Sequence, residues 1–136
     1  MYNLMDISGS GMSAHKTFLE VTSNNIANQK TTRTENGGPY QRQAVSFQEM
    51  KDFDNAFKKE MGKGVEVDQI HQDDNVEIVY DPEHPDANEE GYVEYPAINQ
   101  TAEMTNLLMG QRGYESNESA LNTAKKMFEK TLELGK

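Results

Sequence analysis

Apolar residues recur at helical spacing at both ends of the chain and at strand spacing in the middle. From 4 to 28, Met5, Met12, Leu19 and Ile26 stand seven apart, with Leu4, Ile7, Ala14, Phe18 and Val21 at helical offsets between them. These positions cover roughly 160° of a helix, wider than the seam a single partner helix occupies. Gly9 and Gly11 weaken this helix and suit a close approach or a late start. Asn24, Asn25 and Asn28 mark its fraying end.

From 99 to 134 a longer helix is expected. Leu107, Tyr114, Leu121 and Phe128 stand seven apart, and Gly113, Ala120, Met127 and Leu134 form an adjacent row. Gly110, Ala124 and Thr131 make a strip of small residues where another backbone can come near, while Leu108 and Met109 point elsewhere. Pro96 precedes the helix, Asn99 or Thr101 can cap it, Glu103 favours the positive end of its dipole, and Gly135 stops it. At 1.5 Å per residue the two helices would be about 38 and 54 Å long. The chain leaves along the first and returns along the second, so an antiparallel pair is expected, and such a pair leaves half of each wide face uncovered.

Between them, residues 43–47, 65–70, 76–80 and 91–95 are short alternating or β-branched runs. Gly37-Gly38-Pro39, Gly62 to Gly64, Asp81-Pro82 and Pro85 to Asn88 supply the turns. Residues 48–61, with Met50, Phe53, Phe57 and Met61, read as a short helix or a mobile loop, the loop reaching to residue 64. The expected fold class is α+β. Residues 1–32 and 99–136 form long terminal helices, packed as an antiparallel, coiled-coil-like pair, and residues 33–98 form a small β-rich lobe.

Charge sharpens this division. The formal net charge of -10 over 136 residues falls entirely in the middle, where residues 33–98 hold 16 acids against 6 bases. Both terminal segments sum to zero, which suits packing against copies of themselves. Acidity of this size argues against nucleic-acid binding. No apolar run is long enough to span a membrane, and the first residues lack the basic and apolar regions of a cleaved signal peptide. The chain contains no Cys, which excludes disulfides and thiolate chemistry, and no Trp.

Catalytic and ligand-binding chemistry finds little support. His15 falls on the polar side of the first helical pattern and reads as a solvated surface residue. His71 near Asp73 and Asp74, and His84 near Asp81, Glu83 and Asp86, are better explained as acidic turns than as metal sites. Residues 86–91 resemble the start of a calcium loop, but Ala97 stands where its bidentate acid belongs. Gly62-Lys63-Gly64 lacks phosphate-loop spacing. No enzymatic activity, cofactor or metal is expected.

A family resemblance accounts for the rest. Asn24-Asn25-Ile26-Ala27-Asn28, then Thr31-Thr32-Arg33 and Gly37-Gly38-Pro39-Tyr40, resemble the proximal rod proteins of the bacterial flagellar basal body, the FlgC type. Val79 to Pro82, His84 to Ala87, Glu90 to Val93, Arg112 to Asn117 and Leu132 to Gly135 continue the resemblance in order along nearly the whole chain. Departures stand at Gln29-Lys30, Gln100-Thr101 and Glu118. The resemblance implies a structural subunit, exported without a cleaved signal peptide by the flagellar type III export apparatus. It would assemble outside the cytoplasmic membrane with copies of itself and adjacent rod proteins, forming the drive shaft for motility. The assembly interface would then comprise Met5, Met12, Phe18, Leu19, Val21, Asn25, Ile26 and Asn28 with Met104, Leu107, Leu108, Tyr114, Leu121, Met127 and Phe128. A soluble helical adaptor for one heterologous partner is the alternative.

Overall fold

The computed structural model describes residues 2–50 and 63–135. Helix α1 spans Tyr2–Ala27 and helix α2 spans Gln100–Leu134, flanking strands β1 (Arg42–Glu49), β2 (Val65–Asp73), β3 (Val76–Tyr80) and β4 (Tyr92–Pro96). The architecture is α+β, as the patterning implies. Asn99 caps α2, its Oδ1 accepting from Ala102 N at 3.1 Å, and Gly135 closes the other end.

The two helices pack antiparallel. Asn25 faces Glu103, Phe18 and Leu19 face Gly110, His15 faces Gly113, and Gly11 faces Asn117. Small residues make this approach possible. A Cβ on Gly110 would lie 2.8 Å from Phe18 Cδ1, and one on Gly113 would run into the His15 ring. Gly110 and Ala124 of the expected small-residue strip are buried, whereas Thr131 is exposed because α2 outruns α1 there. Continuing the pairing, α2 passes the first turn of α1 near Lys126 and extends about 12 Å beyond it.

The central strands form two separate two-stranded sheets rather than one. In the first, β1 and β2 pair antiparallel with a bulge at Ser46/Phe47, so that Asp68 is the extra residue. This hairpin lies along α1. Phe47, beside the bulge, meets the rings of Phe18 and His15 at 5.9 and 6.0 Å, and Val65 N donates to Ser10 Oγ at 3.1 Å. The second hairpin pairs β3 with β4 and sits near the start of α2. The expected helix or loop around Phe53, Phe57 and Met61 lies outside the described residues.

Apolar burial is sparse. Among the described residues only Ala14, Val21, Val93 and Ala124 are fully buried hydrophobics, and Ser8, Thr22, Asn25 and Glu103 are buried beside them. Polar groups therefore fill much of the space where helices and strands meet, and each needs a partner.

Candidate assembly interface

A polar latch joins the end of α1, the start of α2 and the start of β1. Asn25 is 1% exposed, and its amide is satisfied on all sides. Oδ1 accepts from Gln43 N at 2.9 Å and from Tyr40 Oη at 3.1 Å, while Nδ2 donates to Gln43 O at 2.7 Å and to Glu103 Oε2 at 3.3 Å. Toward Gln43 the side chain thus acts as a peptide group would in a β-ladder, holding both the N–H and the C=O of one residue. Arg42 completes the latch, with Nε and Nη2 donating to Glu103 Oε1 at 2.8 and 2.6 Å. Burial, and then the Glu103 carboxylate, push the Tyr40 phenol above its ordinary pKa of 10.0.

Neighbouring residues extend the latch into the second hairpin. Thr32 Oγ1 donates to Asp86 Oδ2 at 2.8 Å, and Arg33 pairs with Asp86 at 3.6 Å. Thr31 Oγ1 donates to Asn28 Oδ1 and Asn28 Nδ2 donates to Asn24 O, closing the helix end. Gly37 and Gly38 adopt φ of 80° and 76°, letting the chain turn back so that Tyr40 N reaches Thr31 O. Asn24 to Tyr40 is therefore an intramolecular staple.

The chain matches the family model described as flagella basal body rod protein over residues 5–33. It also matches the model for the C-terminal part of flagellar basal body rod FlgEFG proteins, over residues 89–134. It is 39% identical to the flagellar basal-body rod protein FlgC of Bacillus subtilis, with 99% of this chain and 98% of the relative covered. The FlgC of Borreliella burgdorferi is 34% identical, with 97% and 95% covered, and that of Salmonella typhimurium 36%, with 99% and 98%. The chain belongs to the FlgC-type flagellar basal-body rod proteins. The two matched segments of this rod protein are α1 with the first part of its staple and β4 with α2, which meet where Asn25 touches Glu103; strands β1, β2 and β3 lie outside both.

Of the residues expected to form the rod interface, Val21 and Asn25 are buried within the chain itself. Met5, Met12, Phe18, Leu19 and Ile26 on α1 and Asn28 just after it are half-buried, as are Leu107, Tyr114, Leu121 and Phe128 on α2. Met104, Leu108 and Met127 are exposed, at 47%, 59% and 55%. The structure adds exposed apolar residues outside that set: Leu132 and Leu134 near the end of α2, and Ile78 and Tyr80 on β3.

One sequence reading needs correction. His15 is not a solvated surface residue. It packs over Gly113 and against Phe47, because absence of a Cβ at Gly113 opens space for the imidazole, and its Nδ1 is buried without a hydrogen-bond partner among the described residues. Glu103 does sit in the first turn of α2, but it is 1% exposed and receives Arg42 and Asn25. Its position seven residues before Gly110, on the row that continues to Ala124, was the available signal: a carboxylate on a packing face requires partners.

The acidic turns are hydrogen-bonded within themselves. His84 Nδ1 accepts from Asp86 N at 3.1 Å, and Asn88 Oδ1 accepts from Glu90 N and Tyr92 N at 3.0 and 2.9 Å. Among the described residues no group of three or more His, Asp or Glu side chains could hold a metal ion. No helix among them is long and apolar enough to cross a membrane.

Proposed function

We propose that this chain is a non-catalytic, load-bearing subunit of the flagellar rod that polymerises through its terminal helices with copies of itself and adjacent rod proteins. Full-length similarity to FlgC proteins supports the rod assignment, and does not favour the adaptor alternative. Leu108, Met109 and Leu134, which are 59%, 64% and 89% exposed, carry the assembly reading. Apolar side chains displayed along a long helix gain free energy when a neighbour covers them. Export would use the flagellar type III apparatus without removal of a signal peptide, and the assembled rod would lie outside the cytoplasmic membrane.

Leu108→Asp tests this reading, because the side chain is exposed and its replacement leaves the latch untouched. The purified variant should show unchanged helicity and thermal stability. Cells carrying it should export the subunit, fail to build complete rods, and not swim. Normal swimming with the variant present in isolated basal bodies would overturn the proposed helix interface.

A further inference from the structure

Two exposed apolar patches lie at opposite ends of the molecule, and their charges are complementary. The first is the outer face of the β3–β4 hairpin. Val76, Ile78 and Tyr80 alternate on that face, at 39%, 62% and 64% exposure, and Tyr92, paired with Tyr80 across the hairpin, is 41% exposed. Glu94 stands opposite Ile78 on this face, and Asp81, Glu83, Glu89 and Glu90 in the connecting turn give it an acidic rim, with no Lys or Arg between residues 76 and 96.

The second patch is the part of α2 that runs beyond α1. Met127, Thr131 and Leu134 fall on one helical face, with Met127 55% and Leu134 89% exposed. Lys126 and Lys130 border this stripe, and Lys125, Lys126 and Lys130 outnumber Glu129 and Glu133 in the segment. Lys130 pairs with Glu133 at 3.6 Å; Lys125 and Lys126 are exposed and make no ion pair among the described residues.

We infer that the β3–β4 face of one copy receives the projecting α2 end of a second copy. Within one molecule the two patches are kept apart, since β4 leads directly into the start of α2 and the stripe lies at the far end of that helix, on the order of 40 Å away. Two hairpin faces would bring together Glu94 and the acids of the connecting turn from each copy, so like-to-like pairing is opposed. The contact is therefore head-to-tail, and each subunit added presents a fresh patch of each kind. Such a contact extends into a ring or an open helical array rather than closing into a two-fold dimer. This inference rests on the rod reading and names one of its self-contacts.

The test uses the full chain with each patch disabled in turn. Tyr80→Asp with Ile78→Asp removes the receiving face, and Met127→Asp with Leu134→Asp removes the inserted stripe. All four positions are largely exposed, so circular dichroism should match the wild type. In sedimentation velocity the wild type should associate increasingly with concentration and less at high salt. Each variant alone should bind itself at least about tenfold more weakly, while an equimolar mixture should form one-to-one dimers that grow no further, because only one competent pair of patches remains. Lys126→Glu should weaken association, and Glu94→Lys in the same chain should restore it. A wild type that stays monomeric, variants that still polymerise, or a mixture that remains monomeric would each overturn the inference. Incorporation of the variants into basal bodies, measured separately, distinguishes loss of this contact from failure of the rod assignment.

Discussion

The latch end of the helix pair and its projecting end differ in how their side chains are satisfied. At the latch, Asn25, Glu103 and Arg42 meet one another and the backbone of β1. At the other end, Met127, Leu132 and Leu134 stand more than half exposed on a helix with no partner alongside among the described residues. Polar groups that are buried and paired define one geometry, because any shift leaves hydrogen-bonding groups unsatisfied. Apolar groups left in water have no such preference and gain from whatever surface covers them. One end thus holds the subunit's shape, and the other leaves apolar side chains in water.

Substitutions should separate these roles. Glu103→Ala should have the largest effect on stability, about 3 kcal/mol, because it strands the Arg42 guanidinium and removes an acceptor of Asn25. Urea unfolding should register this as a lower midpoint with an unchanged slope. Asn25→Ala should cost about 2 kcal/mol by leaving the Gln43 N–H and C=O unpaired, again measured by urea unfolding. A loss below about 0.5 kcal/mol would mean that water replaces the amide and that the latch is weaker than its geometry implies.

Tyr40 gives a pH-dependent readout of the same end. Because its phenol pKa is raised on folding, its contribution is fully present below the unfolded value and is lost as pH rises through the folded one. Stability should therefore decline above about pH 10, and Tyr40→Phe should flatten that decline while costing about 1 kcal/mol at neutral pH. Urea midpoints measured on both sides of that range, for both proteins, check the sign.

Leu134→Asp should have the smallest effect on the monomer, within about 0.5 kcal/mol, yet should reduce association in sedimentation velocity. If it instead destabilises the monomer as much as Asn25→Ala does, the projecting end serves the subunit's own fold and the contrast between the two ends fails.

Much of the architecture was legible locally. The runs at 43–47, 65–70, 76–80 and 91–95 correspond to strands at Arg42–Glu49, Val65–Asp73, Val76–Tyr80 and Tyr92–Pro96, and of the two candidate caps, Asn99 and Thr101, Asn99 starts α2. Alternation, capping residues and glycine turns act over a few residues, so they can be read without the fold. The strand runs did not reveal that the hairpins form separate sheets, because each strand's periodicity is the same whichever strand pairs with it. The place of His15 is not legible in its own helix, because it depends on Gly113, on a helix nearly a hundred residues away.

The sequence alone determined the two long helices, the four strands, the neutral ends and the acidic centre, since each follows from composition or short-range spacing. Tertiary structure decided which polar groups meet. Asn25 reaches Gln43 across 18 residues and Glu103 across 78, and Arg42 reaches Glu103 across 61. Nothing local distinguishes Asn25 and Arg42 from ordinary surface residues, and the place of Glu103 on the packing row does not name its partners. Only the antiparallel packing of α1 on α2, with β1 laid alongside, brings them together and excludes the water that would otherwise satisfy them.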